Sequence, residues 1–342
     1  MTRAVVGLLA MGGTIATTST ASTAGRATPH HGAADLAGML GALPVDIRAS
    51  DVRTISSRAV TPADMWTLAE AVRRQISAGA DGVVITHGTD TLEETAYALA
   101  LLVDTAVPVV VTGAMRAPHL PGADGAANLV AAVVAALHRP LARYGPVVVF
   151  QDEIHVARLV TKQHSTRVAA FSSPSAGPVG FVIENEVELL LGPPPEPDRL
   201  TATAPPDVKV ELVMAVAGSD GTLVDAIAGD VAGLVVAGTG AGHLSPALAE
   251  AVVRSVRSGR PAVLTSRCAD GPILRRTYGG PGSETHLLGE GVLAARTLSP
   301  AKARLRLLFG LSAGLSAEDL FPPRTSPTTP DGDEGADRDR IT

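Results

Sequence analysis

The chain has 342 residues, 46% of them hydrophobic, 18% charged and 3% aromatic, with 28 Lys and Arg against 34 Asp and Glu and a formal charge of -6. That composition excludes fibrous and wholly disordered classes, and at about 150 residues per domain the length predicts two domains. No stretch concentrates basic residues with interleaved aromatics, so nucleic acid is not an expected partner.

In chain order, Arg3 and the apolar run Ala4 to Ala10 have the outline of a short leader. A single positive charge precedes the run and Gly12-Gly13-Thr14 follows without a cleavage signal, so it reads as a first strand. Thr61-Pro62-Ala63-Asp64 predicts an N-cap with proline at the first helical position, followed by Met65, Leu68, Ala69, Val72 and Ile76 at helical spacing. Gly82 to Thr86, Val107 to Thr112 and Pro146 to Phe150 are continuous apolar runs, as expected of strands covered on both faces. Between the first two, Thr91 and Glu94 predict a capping box for a helix with Leu92, Ala96, Leu99 and Val103 on its apolar face.

Gly192-Pro193-Pro194-Pro195-Glu196-Pro197 and Pro205-Pro206 cannot continue a helix or donate within a sheet, which predicts an interdomain linker over 191–207. Strands are then predicted at Val208 to Val216, Gly233 to Ala237 and Pro261 to Thr265, with a helix capped by Ser245-Pro246 and closed at Gly259. The reading is therefore α/β with mostly parallel sheets: a larger N-terminal domain over 1–190, a smaller C-terminal domain over 208–321, and a disordered tail over 322–342 that is rich in Pro, Thr, Asp and Gly. The lone Cys268 permits neither an intrachain disulfide nor a thiolate metal cage, which suits a reducing compartment. Apolar stretches such as Leu129 to Leu137 fall short of the roughly 18 residues of a membrane helix.

Two segments leave the carboxyl ends of predicted strands, where ligands collect in open α/β sheets. They are Gly12-Gly13-Thr14 and Thr86-His87-Gly88-Thr89-Asp90-Thr91, and both offer hydroxyls beside glycines that permit close backbone approach. The helix start after Asp90 adds N–H groups suited to a carboxylate. Ordinary turns and caps would carry the same residues. A threonine hydroxyl attacks only with a base or a desolvated amine beside it. The sequence holds three lysines, Lys162, Lys209 and Lys302, against 25 arginines, and only lysine can be tuned to release its proton. Lys209 and Lys302 are expected as surface charges; Lys162 follows a strand-like piece and is either the reactive amine or half of a salt bridge.

Three patterns are set aside. Gly310-Leu311-Ser312-Ala313-Gly314 matches G-x-S-x-G but follows a helix rather than a strand. Gly238-Thr239-Gly240-Ala241-Gly242-His243 lacks the last glycine of a dinucleotide fingerprint. His30-His31 has no spaced partners for zinc.

Met11-Gly12-Gly13-Thr14-Ile15-Ala16 and the run from Thr86 through Glu93-Glu94-Thr95-Ala96 closely resemble the two signature motifs of the bacterial-type L-asparaginase/glutaminase family. The likeness continues through Thr112-Gly113-Ala114-Met115-Arg116, Asp124-Gly125, Asn128-Leu129, Val160-Thr161-Lys162, Ala237-Gly238-Thr239-Gly240 and Pro300-Ala301-Lys302-Ala303-Arg304. It implies two α/β domains, an assembly of two or four copies with active sites between subunits, and release of ammonia from a small amino-acid amide without metal or other cofactor. It also implies Thr14 as the nucleophile forming an acyl-enzyme, with Thr89, Lys162 and Asp90 as second hydroxyl, proton acceptor and orienting acid. Asp90 would also bind the substrate's α-amino group and Ser57 its α-carboxylate. Backbone near Thr89 and Ala114 would stabilise the oxyanion, and Glu284 would be lent to a neighbouring subunit's site.

There are departures. The segment Thr17 to Ala33 corresponds to the family's mobile lid but holds no tyrosine, Arg58 stands where Gln or Ser is common, and His243 where Asn is common. The lid is expected to be disordered without ligand. The resulting expectation is a cytoplasmic L-asparaginase with slower glutaminase activity. The alternatives are the amidase subunit of a tRNA-dependent amidotransferase, disfavoured because the first strand begins at residue 4, and a non-catalytic amino-acid-binding module, disfavoured because Thr14, Thr89, Asp90 and Lys162 are all present.

Overall fold

The computed structural model describes residues 3–18, 28–29, 32–41, 43–195 and 198–323. Most of the expected lid, the His30-His31 pair and nearly all of the 322–342 tail lie outside the described residues. In chain order the first sheet region comprises β1 (Ala4–Gly12), β2 (Thr17–Thr18), β3 (Thr28–Pro29), α1 (Ala33–Gly38), β4 (Val45–Ile55), α2 (Pro62–Ser77), β5 (Gly82–Thr86), α3 (Leu92–Leu102), β6 (Val109–Thr112), α4 (Gly125–Leu137), β7 (Val147–Phe150), β8 (Glu153–Val156), β9 (Thr161–Lys162), β10 (Phe171–Ser172), β11 (Gly180–Ile183) and β12 (Glu186–Leu189). The second comprises β13 (Val210–Met214), α5 (Thr222–Ile227), β14 (Gly233–Gly238), α6 (Pro246–Arg257), β15 (Ala262–Ser266), α7 (Glu284–Gly289), β16 (Leu293–Ala294), α8 (Pro300–Ser312) and α9 (Ala317–Leu320).

The large sheet has eight strands in the order β12-β11-β8-β7-β6-β5-β1-β4. Its β7-β6-β5-β1-β4 part is parallel, and β8, β11 and β12 extend it antiparallel. The smaller sheet, β13-β14-β15-β16, is wholly parallel. The molecule is thus a two-part α/β protein with mostly parallel sheets, as expected.

Both faces of the large sheet are covered, which explains the unbroken apolar runs of its inner strands. Leu9, Met11, Val83, Ile85, Val109 and Val111 point into a core shared with α2 and α3. Their neighbours Val6, Leu8, Ala10, Val84 and Val110 point to the other face, against α1 and α4. The first core continues into the second region, because α8 packs between α3 and strands β13 to β15. A separate core lies under α6 on the far face of the small sheet.

Local chemistry sets the element ends. Thr61 and Asp64 cap α2 reciprocally, Asp64 N–H donating to Thr61 Oγ1 at 3.3 Å and Thr61 N–H to Asp64 Oδ2 at 3.0 Å, with Pro62 at the first turn. Ser245 Oγ accepts from Leu248 N–H at 3.2 Å to start α6. The runs expected to begin at Val107, Pro146 and Pro261 begin as strands at Val109, Val147 and Ala262. Proline has no N–H for the ladder, although the Pro108 and Pro261 carbonyls still accept from Val83 and Leu234.

Two expectations are corrected. Thr91 and Glu94 form no capping box: Thr91 Oγ1 donates instead to the Ser57 carbonyl at 2.8 Å, a tertiary bond that outcompetes the local one. Lys302 is not a surface charge. It is 1% exposed, and its Nζ donates to the Arg158 carbonyl at 3.1 Å and to the Val160 carbonyl. Gly310 and Ser312 lie within α8, so no strained elbow forms there.

Candidate active site

Strand order fixes where a cleft must open. The chain leaves β1 towards β4 on one side and returns to β5 on the other, so the connection reverses at β1 and a crevice forms beyond its carboxyl end. The two hydroxyl-bearing loops issue there, from β1 and from its neighbour β5.

Glycine lets those loops touch. Gly13 has φ 90° and ψ -177°, a conformation almost confined to glycine. A Cβ added to it would stand 2.4 Å from both Cα and N of Gly88. Thr14, next in the chain, opens a short 3-10 turn, and its carbonyl accepts from Thr17 Oγ1 at 2.8 Å. A Cβ on Gly88 would in turn stand 2.7 Å from Ser57 Oγ. Ser57 Oγ accepts from the Asp90 N–H at 3.2 Å. Gly13, which precedes Thr14, is thereby held against the Gly88 backbone, and Gly88 against the Ser57 side chain, contacts that only glycine permits.

Lys162 arrives from further along the chain, on β9, where it pairs with Phe171 of β10. Its backbone N–H donates to Glu93 Oε2 at 3.2 Å. Its Nζ donates to Thr89 Oγ1 at 2.9 Å and to Asp90 Oδ1 at 3.0 Å. The side chain of Lys162 is 15% exposed and that of Asp90 59%, so the network has a half-buried amine and a solvent-facing acid. Among the described residues, neither the Thr89 nor the Ala114 N–H donates to a protein acceptor. Two such free donors on loops at the carboxyl ends of adjacent strands suit an oxyanion.

The turn bearing Ala114 is fastened from below. Asp124 accepts from the N–H groups of Met115 and Arg116, both at 2.9 Å, while Asn128 Nδ2 donates to the Gly113 carbonyl at 3.0 Å and to Asp124 Oδ2 at 3.1 Å. His87 performs the same service for the Thr89 loop. Its Nδ1 donates to the Gly88 carbonyl at 2.7 Å, and its Nε2 accepts from Thr95 Oγ1 at 3.0 Å. Complete burial pushes its pKa down to about 4, so the ring is neutral and this tautomer is the one its partners require. Sequence reasoning did not single out His87 or Glu93 for a role. The signal for them was a histidine inside the loop, with a threonine and a glutamate in the first turn of the following helix.

Glu284 is not brought to this cluster: among the described residues no contact joins it to Thr14, Thr89, Asp90 or Lys162. It is fully buried at the head of α7 and accepts from the Thr277 and Tyr278 N–H groups at 2.8 Å and from His243 Nε2 at 3.1 Å. Burial alone would raise its pKa, but the Tyr278 and Thr277 N–H groups and His243 hold it below the usual carboxylate value. The His243 ring meets Tyr278 edge-on with centroids 4.8 Å apart. Arg58 is exposed beside Ser57. No cluster of three or more His, Cys, Asp or Glu suited to a metal occurs among the described residues, and none of their helices is long and apolar enough to cross a membrane.

Comparison with known proteins gives the family. Residues 5–194 match the family described as asparaginase, N-terminal, and residues 209–320 the glutaminase/asparaginase C-terminal domain. The chain is 39% identical over 265 residues to a probable L-asparaginase of Deinococcus radiodurans, covering 76% of this chain and 80% of that one. It is 33% identical over 321 residues to L-asparaginase 2 of Escherichia coli, covering 89% and 88%. It is also 33% identical over 328 residues to one subunit of the glutamyl-tRNA(Gln) amidotransferase of Halobacterium salinarum, covering 90% and 75%. With matches over nearly the whole described chain, the protein belongs to the asparaginase family of amidohydrolases.

Proposed function

We propose that the protein hydrolyses L-asparagine to L-aspartate and ammonia through an ester on Thr14, with L-glutamine a slower substrate. The observation that supports this reading is the Lys162 amine shared between Thr89 and Asp90, 2.9 and 3.0 Å away, together with the close approach of Gly13, which precedes Thr14, to Gly88, which precedes Thr89. Thr14 Oγ1 attacks the carboxamide carbon, and the carbonyl oxygen takes the negative charge against the Thr89 and Ala114 N–H groups. The hydroxyl proton passes to the leaving nitrogen, ammonia departs and the acyl ester remains. Water then attacks the ester with Thr89 and Lys162 relaying its proton, which returns to Thr14 as aspartate leaves. Asp90 holds the amine in place and, being solvent-facing, is free to bind the substrate's α-amino group. Ser57, whose Oγ accepts from the Asp90 N–H, meets the α-carboxylate in this scheme. Glu284 enters this scheme only across a subunit boundary, in a cytoplasmic dimer or tetramer.

Ammonia release from asparagine, glutamine and their D-forms, by the wild type and by Thr14→Ala, tests the reading. Turnover of L-asparagine by the wild type and none by the variant is expected; an inactive wild type that binds aspartate would establish the amino-acid-binding alternative. The relative named as an amidotransferase subunit supports a second reading, release of ammonia for a tRNA-bound acceptor, for which amide cleavage would depend on that acceptor being present.

A further inference from the structure

Lys162 reaches its partners from β9, a strand of only two residues, and something must hold so short a strand in register. Its own N–H is held by Glu93 at the head of α3. The preceding residues are held from the other region of the molecule. Lys302, in the first turn of α8, sends Nζ to the carbonyls of Arg158 and Val160, the latter two residues before Lys162. We propose that Lys302 is a positioning residue for the Lys162 amine: by clamping the Val160 carbonyl it sets where β9 begins, and so where Lys162 stands relative to Thr89 and Asp90. This rests on the reading of Lys162 as part of the proton network.

Three features separate this from simple packing. A lysine 1% exposed is an unusual filler where leucine would bury more cheaply, and both of its acceptors belong to the segment that delivers Lys162. The charged groups around it also converge on the same place. Glu93 and Glu94 face it from α3, and Arg158 and Asp198 from the adjoining loops. Burial pulls its pKa down to about 8, with Glu93 and Asp198 opposing that shift. Finally, Glu93 is the acceptor of the Lys162 N–H, so one carboxylate lies beside Lys302 and against the Lys162 backbone.

The test uses the rarity of lysine. With only Lys162, Lys209 and Lys302 in the sequence, 13Cε-lysine-labelled protein gives three side-chain signals, each identified by substitution. In Lys302→Met, which keeps the stem and removes the donors, the Lys162 signal is expected to move in ligand-free protein while that of Lys209 stays. Turnover of asparagine should fall roughly 10- to 100-fold in kcat, with a smaller change in KM, as a displaced reacting group predicts. Lys302→Gln, which keeps a shorter pair of N–H donors, should recover part of both. An unmoved Lys162 signal, a loss confined to melting temperature, or failure of both variants to fold would overturn the proposal and leave Lys302 a stabilising residue only. A moved signal in a protein whose wild type cleaves no amide would uphold the clamp and refute the catalytic reading.

Discussion

At the scale of single residues, the site divides into groups proposed to touch substrate and groups that hold them. Lys162→Arg preserves charge but replaces a compact amine with a guanidinium that does not exchange its proton, so kcat is expected to fall roughly a thousandfold with the fold intact, measured by ammonia release. Retention of most of the turnover would remove the proton relay. His87 makes a prediction about stability. Its imidazole takes a proton near pH 6.5 when unfolded but only near 4 in the folded protein, so between those values the unfolded chain binds more protons. Stability is therefore complete above about pH 6.5 and declines as pH falls towards 4, by about 3 kcal/mol over that window. Urea unfolding of His87→Gln, whose amide can replace both hydrogen bonds, should show a flatter decline; an unchanged slope would place the titration elsewhere. The meeting of Thr89, Asp90 and Lys162 was legible because the quoted motifs carry all three. Lys302 was not, because its helix reads as arginine-rich and nothing local reveals that this one face meets two carbonyls more than 140 residues away.

At the scale of elements, parallel strands were the most legible part, since burial on both faces leaves no polar residue to interrupt them. The antiparallel extension β8, β11 and β12 went unread: β12 alternates between exposed and half-buried residues at the sheet edge, and its neighbour β11 alternates between buried and more exposed ones, so neither shows a continuous apolar run. Helix starts were read well where the cap is local, as at Thr61, and wrongly at Thr91, where a distant carbonyl claims the hydroxyl. The contact between the β1 and β5 loops yields a prediction here. Gly13→Ala must place a side chain in a region reserved for glycine and against the Gly88 backbone, which should cost about 2 kcal/mol or more in denaturant unfolding and separate Thr14 from Thr89. A Gly13→Ala enzyme of normal stability and activity would show that the two loops do not need this approach.

At the scale of the whole molecule, the connection between the two sheets is tied at Asp198. Asp198 accepts from Tyr97 Oη at 3.3 Å and pairs with Arg158, and its backbone carbonyl accepts from Arg306 of α8 at 3.0 Å. Asp198→Ala leaves Arg158 without its carboxylate in a half-buried setting, while the backbone bond to Arg306 persists, and is expected to cost about 3 kcal/mol, read as a lower melting temperature. No local pattern announces this tie, because its partners come from three separate stretches of sequence. Light scattering on the eluted protein should give two or four copies. A fully active single copy would leave Glu284 with no part in catalysis.

The scarcity of lysine has a practical corollary. Lys302 is sealed inside and Lys162 largely so, while the Lys209 side chain is 58% exposed at the foot of the smaller sheet, beside Glu211. An amine-directed reagent or a solid support bearing active esters would therefore find one freely presented lysine side chain, and peptide mapping of such a conjugate should recover the label at that position with hydrolysis undiminished.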